Sequence, residues 1–323
     1  MTTPRNKRAL VLGSNGQDGS YLVEHLLRRG YSVIALSRQR SARTGADHPL
    51  CQSVCQDLRR IAEFVELLTT LRPDVIFHFA AVHGRSGTRY EAVWQDMLAV
   101  NVEVVHGCLE YLRNHQPDGV LIYAGSSKIF GPNLPPLITE QSLRSSTCLY
   151  TVTKNAALDL IECYRRDHGI KASVLHFFHH ESERRGKEFF IPKLVAGLHT
   201  ALLDNAHRTE FDTLQFHSDW GSAREYMDIV VDLAERSPTS DAIVATGRTV
   251  LARTLAQQLF ARHGLDYRAH LSERREGDPT DRPFQVSTDG LAGLIGRVPT
   301  VGILEVCETI LTALRRREYE EVS

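Results

Sequence analysis

The sequence predicts an α/β fold: a doubly wound parallel sheet with a smaller lobe supplied by the C-terminal part. Three observations predict it. Short apolar runs alternate with longer amphipathic ones through residues 8–178, a glycine-rich turn joins the first of each, and the alternation stops near residue 179. Strand and helix alternating on this rhythm imply right-handed crossovers, which lay the strands side by side in parallel.

The elements follow in order. RALVLG (8–13) reads as a strand, and SYLVEHLLRRG (20–30) has helical spacing and a glycine stop. YSVIALS (31–37) is again a strand, IAEFVELLTTL (61–71) a helix, and DVIFHFAA (74–81) a buried strand. VEVVHGCLEYLRNH (102–115) is a helix, GVLIYAGS (119–126) a strand, TKNAALDLIECYRRDHG (153–169) a helix, and KASVLHFF (171–178) the closing strand. Polar loops and arginine-rich patches follow. The expected division is therefore a dinucleotide-binding domain over 1–178 and a substrate lobe over 179–323, with segments of the latter returning to the first domain. The tail RRREYEEVS (315–323) reads as a solvated helix end.

Composition excludes several classes. The 323 residues are 42% hydrophobic and 24% charged, with a formal charge of -1. Such a chain has no whole-molecule field for nucleic acid or an anionic membrane, so neither partner is expected. No apolar run is long enough to cross a bilayer, and MTTPRNKRALVLG contains no secretory leader pattern, so the expected compartment is the cytoplasm. The cysteines are scattered, and Cys51 and Cys55 read as reduced thiols. His176, His179, His180 and Glu181 are poorly spaced for one helix face, so no metal is expected.

The segment Gly13-Ser-Asn15-Gly16-Gln17-Asp18-Gly19 stands between the first strand and the first helix. Glycines at this spacing let the backbone turn sharply and approach a pyrophosphate, while the helix offers free N–H groups and its positive dipole end. The second strand ends in Ser37-Arg38-Gln39-Arg40, with Arg43 close behind and no acid. A carboxylate there would serve the ribose hydroxyl of NAD; arginines suit a 2′-phosphate, so the expected cofactor is NADP.

Tyr150-Thr-Val-Thr-Lys154 places a phenol and an ammonium on one helical face. The nearby ammonium, together with the positive charge of an oxidised nicotinamide, favours phenolate and is expected to bring the tyrosine toward working pH, ready to take a proton from a sugar hydroxyl. Ser126 would hold the same oxygen, with Ser127 and Lys128 next to it.

With these residues the chain resembles the extended short-chain dehydrogenase/reductase family, and within it the GDP-mannose 4,6-dehydratase branch. The resemblance rests on GQDGSYL (16–22), RPDVIFHFAA (72–81), YAGSSKIFG (123–131), HESERRG (180–186), SDWGSAREYMD (218–228) and Arg282-Pro283. It implies a Rossmann-type lobe for NADP, a nucleotide-diphosphate sugar as substrate with GDP-hexose favoured, and a homodimer or homotetramer. It further implies that Asp57 and Leu58 flank the adenine, with Ala80 and Ala81 also at the cofactor. Arg185 would reach a bound cofactor across a subunit interface. His83, His179, Glu181, Lys193, Arg224 and Arg282 would meet the substrate. The chemistry implied is oxidation at C4, loss of water across C5–C6 and return of the hydride to C6.

The chain also departs from that branch. Lys128 stands where the dehydratases have a glutamate base; it either removes the C5 proton with a lowered pKa or only fixes a hydroxyl or phosphate. His179 replaces an asparagine and Ser218 an arginine. An epimerase or 4-ketoreductase on the same scaffold is therefore the first alternative, and a non-catalytic NADP-binding partner protein the second.

Overall fold

Strands of three to seven residues, each followed by a helix or a loop, assemble side by side in the computed structural model, which describes residues 7–39, 48–83, 89–131, 134–278 and 281–322. The central sheet holds β1 (Arg8–Leu12), β2 (Ser32–Ser37), β3 (Cys51–Cys55), β4 (Val75–His78), β5 (Val120–Ser126), β7 (Lys171–Phe177) and β11 (Ala242–Val244). Their order is β3-β2-β1-β4-β5-β7-β11, every pair parallel. The chain winds outward from β1 in both directions, so a crevice opens at the carboxyl ends of β1 and β4, where doubly wound sheets bind ligands. β3 carries the cysteine pair on the sheet edge; all six cysteines are free thiols. Its mixed polarity hides the strand signal, since only one neighbour covers it.

Alternation decides which face each side chain supports. Leu10, Leu12, Ile34, Leu36 and Ile76 pack with α2 (Ile61–Leu71), α4 (Val104–His115) and α5 (Leu149–His168). Ala9, Val11, Val33, Ala35 and Phe77 pack on the other face with α1 (Gln17–Arg28), α7 (Ala223–Arg236) and α10 (Asp289–Ile295). The last two helices and β11 come from beyond residue 179, so the second part does return to the first.

The smaller lobe has its own core, in which α6 (Phe190–Leu203), α8 (Ala252–Arg262) and α11 (Ile303–Val322) close around Trp220 and Phe260. Its sheet is β8 (His179–Glu181), β10 (His217–Ser222) and β12 (Thr249–Leu251). Smaller pieces complete the chain: β6 (Leu137–Ile138) with β14 (Gln285–Val286) and α3 (Trp94–Leu98) beside the first core, and β9 (Thr209–Phe211) with β13 (Leu271–Glu273) and α9 (Tyr267–His270) in the smaller lobe. Among the described residues no helix is long and apolar enough to cross a membrane.

Asp219 on β10 ties the lobes' strands together. It is fully buried and accepts bonds from the Thr246 amide at 3.0 Å, the Thr246 hydroxyl at 2.9 Å and the Arg248 amide at 3.0 Å. Removing the acceptor strands buried donors, each costing about 1–3 kcal/mol. Asp219→Ala is therefore expected to lower stability by roughly 2–4 kcal/mol, read as a lower urea midpoint at unchanged slope. A shift of a few tenths would contradict this assignment.

Candidate active site

A cleft of about 1680 Å³ opens over the carboxyl ends of the strands, lined by both lobes. Gly13, Asn15, Gly16, Gln17, Asp18 and Gly19 form part of its wall, as do Arg38, Asp57, Leu58, Ala80 and Ala81. Ser126, Ser127, Lys128, Tyr150 and Lys154 line it too, together with His83, His179, Glu181, Arg185 and Lys193. Arg40 and Arg43 lie outside the described residues.

The glycine turn is tight for a physical reason. Gly13 has φ +86°, and a Cβ there would sit 2.8 Å from the Ala80 amide nitrogen. A Cβ on Gly19 would sit 2.2 Å from the Gly13 carbonyl oxygen. The turn therefore packs backbone on backbone and leaves the amino end of α1 open to the cleft, the arrangement that receives a diphosphate. Asn15 donates to the Gln39 carbonyl at 2.6 Å, tying the turn to the loop after β2. In that region Asp57 is engaged by Arg59 at 2.6 Å, which holds its pKa at about 2.

Tyr150 sits in the first turn of α5 and hydrogen-bonds Ser126 at the end of β5. Lys154 lies one turn on, with Nζ 5.8 Å from the Tyr150 ring centre, and donates to the Ala124 carbonyl at 2.7 Å. Lys128 Nζ stands 5.9 Å from the same ring, and the His83 ring meets it edge-on at 6.4 Å. These residues thus converge, and burial dominates their electrostatics. Burial pushes the Tyr150 phenol up to about 12, against the pull of Ser126 and Arg185. Burial also lowers Lys154 to about 7. Desolvation outweighs attraction, because an ammonium that itself loses charge on burial cannot fully support a phenolate.

The segment 180–186 docks on the first helix of its own chain. His180 faces Asp18 at 3.0 Å; against the opposing effect of burial, the contact keeps that carboxyl at about 2 and holds the imidazole above its ordinary value. Gln17 donates to the His180 carbonyl at 3.1 Å and accepts from the Ser182 hydroxyl at 2.9 Å. The Tyr21 phenol donates to Glu183 at 2.7 Å, and Arg184 bonds Ser20 at 2.9 Å and pairs with Glu24. Arg185 consequently lies in its own cleft, 3.7 Å from Glu181 and stacked 3.6 Å from the Phe189 ring. Local pairing to α1 sets the loop's direction.

Two predicted substrate contacts fall elsewhere. Arg224 is exposed in the first turn of α7, with its guanidinium 4.8 Å from the Tyr21 ring, because α7 packs along α1. Arg282 bonds the Asp281 carbonyl at 2.7 Å and does not line the cleft, whereas Asp281 does. His179 and Ser218, the two departures on adjacent strands, bond each other at 2.7 Å. Burial, aided by Lys128, lowers His179 to about 4, so this ring is neutral at pH 7.

Asn101 carries a role missed in the sequence. It lies in a π-helical turn (Ala99–Glu103) before α4, is fully buried, and bonds the Val82 amide and carbonyl at 2.9 Å each. A further bond to Thr153 at 3.1 Å fixes the strand end beside Ala80 against the Lys154 helix. The available signal was an amide within an apolar run, AVNVEVV, since a buried amide requires partners. Among the described residues no group of three or more His, Cys, Asp or Glu could hold a metal ion.

The model of the family described as GDP-mannose 4,6 dehydratase matches residues 10–289. The chain belongs to that family. Among its relatives, GDP-mannose 4,6 dehydratase 1 of Arabidopsis thaliana is 28% identical over 92% of this chain and 86% of the relative. GDP-mannose 4,6-dehydratase sdnI of Sordaria araneosa is 29% identical over 79% of this chain; the match spans 48% of that longer relative. A solved dTDP-glucose 4,6-dehydratase of Bacillus anthracis, in complex with NAD, superposes with TM-score 0.80 over 97% of this chain and 98% of its own, at 15% identity, and shows the shared fold. The family makes this chain an enzyme of the nucleotide-sugar dehydratase/epimerase type.

Proposed function

We propose that the enzyme binds NADP in the cleft and uses Tyr150 to move a proton at the C4 oxygen of a GDP-hexose, in a 4,6-dehydratase reaction. The observation that carries this reading is the convergence of Tyr150, Ser126 and Lys154 in one cleft with the glycine turn. A bound oxidised nicotinamide would supply the hydride acceptor and a positive charge. Gly13, Gly16 and Gly19 would receive its diphosphate, and Arg38, an exposed guanidinium lining the cleft, would meet the 2′-phosphate. Ser126 holds the sugar oxygen, and Tyr150 accepts its proton. A C4 ketone acidifies the C5 hydrogen, so oxidation must precede loss of water.

Lys128 favours a second reading. It is exposed to the cleft, 5.9 Å from the Tyr150 ring centre, and it offers an ammonium where C5 deprotonation calls for a base. Without that step the same Tyr150 chemistry ends in epimerisation or 4-keto reduction. Incubation with NADP and a panel of GDP- and UDP-hexoses separates the two. A 4-keto-6-deoxy product supports dehydration; only inverted or reduced sugars would remove it. If Lys128 is the C5 base of a dehydration, Lys128→Ala in deuterium oxide cuts label entry at C5 by roughly a hundredfold or more while C4 oxidation continues. Equal loss of both steps would contradict a base role for Lys128.

A further inference from the structure

Glu181 ends β8 with 4% of its surface exposed, yet it lines the cleft. Among the described residues its Oε2 makes no hydrogen bond, and neither does the Nε of Arg185 that faces it 3.7 Å away. That separation is an ion pair too long to be a hydrogen bond. A buried acceptor and a buried donor left unbonded are costly, and their presence side by side in a cleft marks a place for another polar group. Phe189 holds the guanidinium from the other side, 3.6 Å away. The charge of Arg185 reaches Asp18, Tyr150, His179 and His180, so it stands between the glycine turn and the reactive phenol. A planar guanidinium beside an open helix amino end has the shape and sign to take a diphosphate.

We propose that Glu181 and Arg185 form a proton-linked diphosphate site within one chain: Arg185 turns from Glu181 to the incoming diphosphate, and Glu181 takes up a solvent proton as its counter-ion leaves. The inference rests on the reading of the cleft as a nucleotide site. Four titratable or charged groups surround Glu181: Asp18 on α1, His180 beside it on β8, Arg185 on the following loop and Cys307 on α11. Burial raises the Glu181 carboxyl to about 7, with Arg185 and His180 opposing and Asp18 assisting. Transfer of Arg185 to an anion removes the main opposing charge, so the bound-state pKa lies higher still. Binding therefore favours protonated Glu181, and affinity falls as pH rises from the free value toward the bound one.

The test is calorimetry of the intact protein at pH 7.5 in two buffers of different ionisation enthalpy, with NADP in one arm and GDP in the other. Uptake of a substantial fraction of a proton is expected in at least one arm, with affinity weakening by up to roughly tenfold per pH unit above neutrality. Uptake with NADP alone assigns the cofactor's diphosphate, and uptake with GDP alone the substrate's; either supports the site. Glu181→Gln should bind without proton uptake and with a flat pH response. Uptake that survives in Glu181→Gln places the proton on His180 and overturns the proposal, as does absence of binding or of uptake in both arms. Difference infrared spectra of the unaltered protein give an answer independent of that variant's folding. A protonated-carboxyl band should grow on binding, and its absence counts against the site. Neither measurement reads turnover, so a chain that takes up the proton but converts no sugar would sink only the proposed reaction.

Discussion

Tyr150→Phe is expected to lower turnover by roughly a hundred- to ten-thousand-fold, while NADP affinity and melting temperature stay near those of the parent. The phenol hydroxyl is the group that Ser126 bonds, whereas the ring keeps its contacts with His83 and its place in α5. The pH dependence has a definite sign. With the phenol raised to about 12, the proton-accepting form is scarce at neutrality, so kcat/KM should climb with pH until another group titrates. Lys154, near 7, loses its charge over part of that rise and blunts it. Steady-state formation of the 4-keto sugar, with calorimetry of NADP, reads both quantities. A variant that turns over normally would remove Tyr150 from the chemistry, and with it the reading of the cleft.

The second large effect belongs to Gly19. Its added methyl would meet the Gly13 carbonyl carbon and oxygen at 2.8 and 2.2 Å, and neither can swing aside as a flexible side chain would. Gly19→Ala must therefore displace the turn, at about 1–3 kcal/mol of stability, and pull the helix end from its diphosphate. NADP affinity should fall by roughly a hundredfold or more, equivalent to about 2.7 kcal/mol. Gly293→Ala is the matched control: nothing lies within 4 Å of its Cβ, so NADP affinity should be unchanged, and an alanine inside α10 should hold or raise stability. Calorimetric titration and thermal unfolding of the two variants decide the matter. Equal behaviour would show that close backbone contact at the turn does not govern binding.

Much of this molecule was legible in its residues because the relevant rules are local. The two-residue period of β1 and β2 sends Leu10 and Ile34 to one face and Val11 and Val33 to the other, which fixes a sheet covered on both sides. The i, i+4 spacing brings Tyr150 and Lys154 together whatever the rest of the fold does. The edge strand β3 was hard to read because it is only half-covered and carries polar residues. Asn101 was missed because its partners, Val82 and Thr153, are 19 and 52 residues away.

The sequence by itself determined the doubly wound sheet, the glycine turn and the tyrosine–lysine pair, since periodicity and steric freedom act over a few residues. Only the tertiary structure decided that Arg224 and Arg282 do not line the cleft, and that Arg185 lies in it beside Glu181. It also decided that burial drives Tyr150 up and Lys154 down. Where a charged side chain points, and how much water it loses, depends on packing of α1 against β8 and α7, both more than 150 residues further along the chain, whose meeting no local pattern records.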